Sequence, residues 1–484
     1  MTRLRKRIGA GDGLRARVHT RLSLLLFVSV GTASTASAVV ACGDAEPSDF
    51  RSDPTDAAPD AREASLPPDD DAGVELDVDA DAAAAPPDYD ASDEPVVCAT
   101  TPCATQLAAG DRHLCALMSD GTVQCWGTDT RGSLGRGESD GGVDAGPRPQ
   151  RVDGLANVNQ ISAGAQGNTT CAVDAEKHVW CWGDNSGAQL GLVPSPGFRD
   201  FGPHPTPMRA ALSAEVVRVD LGQSTACAIA TDGKVYCWGG NDSKQLARPD
   251  STEWYEGPGL AELGDHAIEH LVLTQYSSFA VTADGQLLGW GRASGRQSSL
   301  SSSEGSAVPV PLPSVEHVTR AATSGFVSGS DGHQCAIARG SVYCWGGNIR
   351  GELGTGVPDS EQTPAFAGII TDAGVYPQQL ALGPNRSCVR MTNGTLQCCG
   401  DDRLGQLGRG GVDAGTFATT FGPAVALTGR AVQIVASRIA TCALMQDGGV
   451  MCWGGNTNGE LGQGTTDSLP HPTPVKVVFP VVFP

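Results

Sequence analysis

The residues best suited to chemistry in this sequence are cysteines that recur in pairs. Cys227 and Cys237 lie ten positions apart and flank a turn that contains Asp232 and Gly233. A three-residue hairpin loop with glycine in the left-handed conformation places two such residues opposite each other, within reach of a disulfide. Disulfides persist outside the reducing cytosol, so the pairs also predict an oxidising compartment. The predicted bonds are Cys115–Cys125, Cys171–Cys181, Cys227–Cys237, Cys335–Cys344, Cys388–Cys398 and Cys442–Cys452.

Two exceptions support this pairing. The turn between Cys335 and Cys344 is one residue shorter than the others, and the separation of these two cysteines is shorter by one as well. Where a further pair is expected, both positions change together, to Phe279 and Gly289. The alternatives are buried reduced thiols, which have no reason to disappear in pairs, and metal binding, for which no second ligand pair is present.

Four of the sixteen cysteines lie outside these pairs. Cys98 and Cys103 flank a short Ala-Thr-Thr-Pro segment and are candidates for a seventh bond. Cys42 is a candidate for lipid attachment, and Cys399 is left as a single thiol, which in an oxidising space is either buried or reactive.

Nothing in the sequence forms a catalytic constellation. The motifs of serine hydrolases, of phosphate-binding loops and of zinc proteases are missing. His113 and His333 stand two positions before a paired cysteine, where the other units carry threonine, serine, arginine or alanine. A position that accepts all these types is a structural site beside a hairpin. We therefore expect no catalytic residue, no cofactor and no metal.

Aromatic residues and arginines in loops are the candidates for contact with a partner, because contact hot spots are rich in these types. The alternative is that they pack on their own loops. Arg390 is a further candidate, since the other units have an apolar residue at its position; it either reaches a rim or points into a central channel. The loop candidates are Trp254, Tyr255, Phe198, Arg199, Phe201, Phe417 and Phe421.

The elements that must position these residues form a repeat. A Trp-Gly pair recurs with tryptophan at 126, 182, 238, 290, 345 and 453, and Cys399 occupies the equivalent place in one further unit. Each of the seven units contains several short strand patterns separated by turns and cannot bury its apolar face alone. Seven such units close into a ring, so the predicted fold is an all-β, seven-bladed β-propeller over residues 98–484. The tryptophans are expected to fill the space between blades.

The repeats resemble those of the regulator of chromosome condensation family, whose units end in a Trp-Gly-x-Asn-x-x-Gly-Gln-Leu-Gly pattern. "WGDNSGAQLG" and "WGGNTNGELG" are examples in this chain. The resemblance implies a seven-bladed propeller that acts by presenting loops on one of its faces. Because the first unit lacks the proline-bearing segment found in the others, we expect the C-terminal strand to complete the first blade.

The first 97 residues are predicted to consist of a targeting signal followed by a tether. A basic segment and the apolar stretch "LSLLLFVSV" indicate a signal peptide over 1–41, and Val-Val-Ala before Cys42 resembles a bacterial lipoprotein box. The alternative is an ordinary signal peptide cut after the small residues at 36–38. Residues 42–97 are rich in Asp, Ala and Pro, which predicts a disordered tether. We expect a lipid-anchored protein of the cell envelope, more in keeping with the outer membrane or cell surface than with the inner membrane.

The net negative charge of the chain argues against nucleic acid as a partner. The whole chain carries −21, of which residues 1–21 contribute +6, residues 43–97 contribute −16 and residues 98–484 contribute −11. The acidity of residues 98–484 disfavours nucleic-acid binding. We expect a monomer that contacts the membrane only through its lipid. The predicted function is a non-catalytic envelope module that binds a protein partner. The alternatives are a polysaccharide-active enzyme with a site in the central channel, and a surface adhesion or structural protein.

Overall fold

The computed structural model describes residues 87, 91–137, 145–164, 166–193, 200–292, 305–312, 315–325, 332–411 and 416–480. The predicted signal peptide, Cys42, most of the tether, Phe198 and Arg199 lie outside these residues. Within them the chain forms seven antiparallel sheets of four strands each, with the strands of every sheet consecutive in sequence. We number these sheets blade 1 to blade 7 in chain order.

Each blade begins at its innermost strand and ends at its outermost one. Blade 1 consists of β1 (Ala104–Ala109), β2 (His113–Met118), β3 (Val123–Thr128) and β4 (Ala145–Arg151). Blade 2 consists of β5 (Val158–Ala163), β6 (Thr169–Asp174), β7 (Val179–Gly183) and β8 (His204–Arg209). Blade 3 consists of β9 (Val216–Leu221), β10 (Thr225–Ala230), β11 (Val235–Gly240) and β12 (Tyr255–Leu260). Blade 4 consists of β13 (Ile268–Leu273), β14 (Ser277–Thr282), β15 (Leu287–Gly291) and β16 (Ser306–Pro311).

The remaining three blades follow the same plan. Blade 5 consists of β17 (Val318–Thr323), β18 (His333–Ala338), β19 (Ser341–Gly346) and β20 (Glu361–Phe366). Blade 6 consists of β21 (Pro377–Gly383), β22 (Arg386–Met391), β23 (Leu396–Asp401) and β24 (Phe417–Pro423). Blade 7 consists of β25 (Ala431–Ala436), β26 (Ala440–Met445), β27 (Val450–Asn456) and β28 (Asp467–Lys476). In the part of the chain that the structure describes, one 3-10 turn, Thr130–Gly132, follows β3. Among the described residues, no helix has the length and apolarity that a membrane crossing requires.

The ring closes without an exchange of strands. The innermost strand of each blade packs beside those of its two neighbours, and β25 of blade 7 packs beside β1 of blade 1. The expectation that the C-terminal strand completes the first blade is wrong: β28 pairs with β27 of blade 7, and β4 is the outer strand of blade 1. In every unit the outermost strand is the next strand in sequence after the third strand, and it pairs with that strand. Closure therefore depends on side chains buried between blades 1 and 7.

The six predicted hairpin disulfides are present. In each of them the two cysteines are directly opposed on the second and third strands, with 4.1 Å between their Cα atoms. The Cys98–Cys103 bond is present as well. In blade 4, Phe279 lies opposite Gly289 at the disulfide position and is buried, so an aromatic ring takes the space of the two sulfur atoms.

The tryptophans pack between blades as predicted. Each of the six is fully buried, and five of them donate an indole N–H bond to a backbone carbonyl in the turn that follows the third strand of the preceding blade. Trp126 makes this bond to Glu460 of blade 7 at 2.9 Å, which links the two ends of the ring. Burial of a large apolar ring with a satisfied polar group is a strong contribution to packing.

Blade 6 uses a different solution, in which two smaller side chains replace the tryptophan. The Cys399 thiol is 3.4 Å from the Glu352 carbonyl oxygen, the same turn carbonyl that an indole binds in other blades. A Cβ added to Gly191 would lie 2.7 Å from the Trp238 indole nitrogen, whereas one added to the equivalent Gly354 would collide with the ring of Phe421. Phe421 therefore occupies the volume that tryptophan fills elsewhere, and it is only 3% exposed.

Candidate protein-binding surface and channel mouth

The most exposed large aromatic side chain of the described residues stands at the start of β12. Trp254 is 71% exposed and directly precedes Tyr255. Phe201, which comes from the loop before β8 of blade 2, is 42% exposed and packs edge-on against Tyr255, with 5.2 Å between the ring centroids. Phe201 and Tyr255 therefore pair across two neighbouring blades, and the exposed Trp254 is the chain neighbour of Tyr255. We call Phe201, Trp254 and Tyr255 together the aromatic patch.

The loop that carries Trp254 is held in place by its backbone and polar groups. The Asn241 amide donates to the Trp254 carbonyl at 2.7 Å, and the Ser251 hydroxyl donates to a Glu256 carboxylate oxygen at 2.6 Å. The Lys244 ammonium donates to the Ser251 carbonyl at 3.1 Å. These bonds fix the loop while leaving the indole in solvent. The alternative that Trp254 packs on its own loop is therefore not what the structure shows.

The other predicted contact residues do not join this surface. Phe417 is 41% exposed but belongs to blade 6, which is not adjacent to blades 2 and 3. Phe421 is a correction: it lies in the core beside Cys399 and presents no contact surface. Of the two positions considered for Arg390, the structure excludes the rim: the side chain is fully buried and bonded to Glu94 at the mouth of the channel. Phe198 and Arg199 lie outside the described residues.

The innermost strands place one half-buried polar side chain each at the same position, immediately after a β-bulge. We call these residues the inner ring: Gln106, Gln160, Arg218, His270, Arg320, Gln379 and Gln433. The four glutamines bind the backbone of the following blade; Gln106, for example, accepts a bond from the Ile161 amide at 2.9 Å. Blades 3, 4 and 5 carry Arg218, His270 and Arg320 instead. Arg218 donates two bonds to the Asp220 carboxylate of its own strand, at 2.7 and 2.8 Å, so Arg320 is the inner-ring cation that is left to bind another anion.

Residues 91–97, which we call the strap, lie across this end of the channel. Asp93 and Glu94 share a cavity of about 330 Å³ with Gln106, Gln160 and Gln433 of the inner ring. At its C-terminal end the strap is fixed by the Val97 amide, which donates to the Gln446 carbonyl at 2.7 Å, and by the packing of Val96 against the core between blades 1 and 7.

The strap differs from the sequence prediction, which assigned residues 42–97 to a disordered tether. The described residues 91–97 instead make specific contacts with the propeller. The error came from composition: an Asp- and Pro-rich segment lacks the apolar surface to fold alone. Such a segment can still bind to a folded domain where arginines form ion pairs with its carboxylates.

Each strap carboxylate meets arginines. Glu94 accepts bonds from Arg390 and from Arg430, both at 2.7 Å. Asp93 lies 3.6 Å from Arg320. Burial of Glu94 works to raise its pKa, but the hydrogen bonds from Arg430 and Arg390 outweigh burial, and the pKa is lowered. The Glu94 carboxylate is therefore charged where it lies between the two guanidinium groups.

His270 lies next to Arg320 at the strap, and the two side chains differ in charge. Burial lowers the pKa of His270 to about 3, and the neighbouring charges of Arg218 and Arg320 act in the same direction. His270 is therefore neutral at neutral pH and accepts a bond from Arg320, 2.7 Å away. Arg320 also donates to the Ala91 carbonyl at 2.8 Å, so it binds the strap through both backbone and charge.

The two histidines singled out in the sequence are structural, as expected. His113 of blade 1 is 2.8 Å from the Thr170 hydroxyl of blade 2, and His333 of blade 5 is 2.7 Å from the Ser387 hydroxyl of blade 6. Burial lowers the pKa of His113 to about 4 and that of His333 to about 3. Both imidazoles therefore remain neutral links between blades.

One further group of side chains has the spacing of metal ligands. In the described part of the chain, Asp174, Glu176 and His178 bring ligand atoms within 4.8 Å of one another at the β6–β7 turn. The Asp174 carboxylate already accepts bonds from the Trp180 indole at 2.8 Å and from the His178 amide at 2.9 Å. These bonds explain the arrangement as a stabilised turn.

Comparisons with known proteins agree with this fold. A family model described as "Regulator of chromosome condensation (RCC1) repeat" matches residues 104–133, 158–189, 216–245 and 431–460, and a second model of the same description matches 447–482. These matches coincide with the inner three strands of blades 1, 2, 3 and 7 and with the C-terminal part of blade 7.

Similar full-length proteins and solved structures carry the same repeats or fold. The ultraviolet-B receptor UVR8 of Arabidopsis thaliana is 28% identical over 66% of this chain and 70% of its own length. The mitochondrial RCC1 domain-containing protein RUG3 of the same plant is 26% identical over 55% of this chain, which spans 59% of RUG3.

The structure of Prp20p from Saccharomyces cerevisiae superposes with a TM-score of 0.62 at 18% identity, over 78% of this chain and 87% of Prp20p. The chain therefore carries regulator of chromosome condensation repeats, folded as a seven-bladed β-propeller.

Proposed function

We propose that this protein is a non-catalytic binding module of the cell envelope and that it holds a protein partner on the aromatic patch. The observation that carries the proposal is the exposure of Trp254 beside a Phe201–Tyr255 pair that spans two blades. Exposed tryptophan and tyrosine on a rigid scaffold are typical of contact hot spots, since they bury large areas with little loss of conformational entropy.

Propellers with these repeats bind proteins, which supports this class of function. Prp20p was solved in a study of its binding to Gsp1p and histones, and the same yeast protein was solved bound to Kap60. The identity to these structures is 18%, so they support the fold and the mode of action and say nothing about the identity of the partner here.

The envelope location rests on the sequence of the first 42 residues. The test is metabolic labelling with a fatty acid, followed by fractionation of membranes. The wild-type chain should carry the label in the membrane fraction, and a Cys42→Ala variant should lack it. Equal labelling of the two proteins would refute lipidation at Cys42.

The binding role is tested by affinity capture from envelope extracts with the full chain, followed by mass spectrometry. We expect a defined set of proteins that is reduced at least tenfold by Trp254→Ala combined with Tyr255→Ala. Phe417→Ala is the matched control, because Phe417 is an exposed aromatic at the corresponding strand of a distant blade. Capture unchanged by the double substitution would refute the proposal.

The alternative of a polysaccharide-active enzyme finds less support. A glycosidase needs two carboxyl groups facing the scissile bond. The inner ring consists of amides, arginines and a histidine, and Asp93 and Glu94 of the strap are ion-paired with arginines. The adhesion alternative predicts no defined partner in the capture experiment, so the same measurement separates it from the proposal.

A further inference from the structure

The strap occupies a site built for negative charge, although the propeller as a whole is acidic. Arg390 is fully buried, and apart from its bond to Glu94 its Nε and Nη2 atoms have no hydrogen-bond partner among the described residues. A buried guanidinium with two nitrogen atoms that lack hydrogen-bond partners is costly in a structural core. The presence of this guanidinium in the core is explained if Arg390 serves to bind carboxylates.

The cations form two adjoining subsites. Arg390 of blade 6 and Arg430, which precedes blade 7, hold Glu94. Arg320 of blade 5 lies 3.6 Å from Asp93. Arg218 of blade 3 is bonded to Asp220 of its own strand and does not contact the strap. Of two consecutive carboxylates, Glu94 is thus held by two arginines and Asp93 by one.

The site is larger than the strap that occupies it. Beside Ala91 and Ser92, a cavity of about 710 Å³ extends over blades 4 and 5. This volume is in the range of peptide- and ligand-binding clefts. Its lining is of mixed charge: Arg320 and Arg339 face it together with Glu269 and Asp284, and Arg339 is paired with Glu316. The part of the site that favours carboxylates is therefore the Arg320 end, next to the strap. The side-chain amide of Gln378 donates to the Ser92 carbonyl at 2.6 Å, so the propeller also binds the strap through its backbone.

The site also lies away from the aromatic patch. The strap contacts the face that carries the turns between second and third strands, as shown by the bond from Val97 to Gln446. The Trp254 loop leaves the opposite end of β11. A ligand at the channel mouth is therefore independent of the function proposed above.

We propose that the channel mouth is a binding site for an acidic peptide segment and that Asp93 and Glu94 are its resident occupant in the isolated chain. An acidic segment of a partner protein binds by displacing the strap. Because the strap is covalently attached, its high effective concentration keeps the site closed to weak competitors. Neutralising its carboxylates opens the site.

The test uses a fluorescently labelled peptide of sequence ASDEPVV and fluorescence polarisation with the full-length protein. We expect the peptide to bind Asp93→Asn/Glu94→Gln protein at least tenfold more tightly than wild type. Adding Arg320→Gln to that double variant should weaken binding at least tenfold. Lys234→Gln in the same background is the control, because Lys234 is an exposed cation in the turn between β10 and β11 and its loss changes the net charge equally.

Several results would overturn the proposal. These are equal binding to wild type and to the opened variant, equal binding of a neutral ASNQPVV peptide, loss of binding with Lys234→Gln, or no binding to any variant. Arg430→Gln, at a half-exposed position, replaces Arg320→Gln should the latter protein not fold. A second readout is amide hydrogen exchange of residues 92–97 in the otherwise wild-type chain, which Arg320→Gln should accelerate and Lys234→Gln should not.

Discussion

Phe201 of blade 2 and Tyr255 of blade 3 meet edge to face, with their ring centroids 5.2 Å apart and their planes 67° apart. The pair joins the loop before β8 to the start of β12, which no hairpin connects, and it fixes Tyr255 beside the exposed Trp254. A surface divided between blades can be rigid only if its parts contact each other, and these two rings supply that contact.

The first prediction concerns this support. Phe201→Ala should weaken capture of the partner by about five- to twentyfold, in line with ~1–2 kcal/mol for an aromatic pair and its burial. The free energy of unfolding should fall by about 1 kcal/mol, because the aromatic pair is lost while the ring, 42% exposed, leaves no closed cavity. Titration of the captured partner against wild type, Phe201→Ala and Phe417→Ala measures the effect. An equal loss with the two variants would show that the patch is not specific.

The second prediction concerns the replacement of tryptophan in blade 6. Phe421→Ala should lower the free energy of unfolding by about 3–5 kcal/mol, because it empties the volume beside Cys399. Phe417→Ala on the same strand removes an equal ring from an exposed position and should cost about 0.5 kcal/mol or less. Denaturant unfolding of the two variants makes the comparison, and similar losses would contradict the assignment.

The third prediction concerns the thiol of Cys399. It is fully buried, and burial, with the charge of Glu352, raises its pKa well above the ordinary value. Because the thiolate is the reactive form, iodoacetamide should not label Cys399 in the native protein at pH 8 and should label it after unfolding. Peptide mapping without reduction should find Cys227 bonded to Cys237 in the same sample. Native labelling of Cys399 would refute the packing described for blade 6.

The fourth prediction is a loss of stability in acid. The folded pKa of His333, about 3, lies below the ordinary 6.5 because the ring is buried. The unfolded chain therefore binds a proton first as the pH falls. The contribution of His333 is fully present above pH 6.5 and is lost between 6.5 and about 3, by about 1.4 kcal/mol per pH unit.

His333→Gln removes this titration and should reduce the slope of unfolding free energy against pH by that amount between pH 6 and 5. His266→Gln serves as the control, since His266 is exposed in a loop. Urea unfolding at a series of pH values gives the slopes, and parallel curves for wild type and His333→Gln would contradict the burial argument.

Local features of this fold could be predicted from the sequence, because they depend on short-range geometry. Cys227 and Cys237 revealed a hairpin and its register, and the recurring tryptophans revealed blades and their number. The closure was predicted incorrectly, since the proline-bearing strand can be assigned to the unit before or after it until its hydrogen bonds to β27 are known. Sequence separation alone does not decide between these two sheets.

The channel mouth could not be predicted because its parts come from residues far apart in the chain. Glu94 and Arg390 are separated by almost three hundred residues, and the strap reads as a featureless acidic segment. One signal was present: Arg390 departs from a position that is apolar in the other units. Arg390 thus marked the site as an exception to the repeat, whereas nothing in the Asp- and Pro-rich segment distinguished Glu94 from its acidic neighbours.

Because each blade of this ring is built from one uninterrupted stretch of sequence, a whole unit can be duplicated, deleted or exchanged without breaking the pairing of any sheet. The new neighbours must then pack against each other through the side chains between blades, as Trp126 packs against the turn at Glu460. Such an architecture lets the number of blades and the loops of each blade evolve separately. New termini placed in any linker between blades should likewise yield a complete ring.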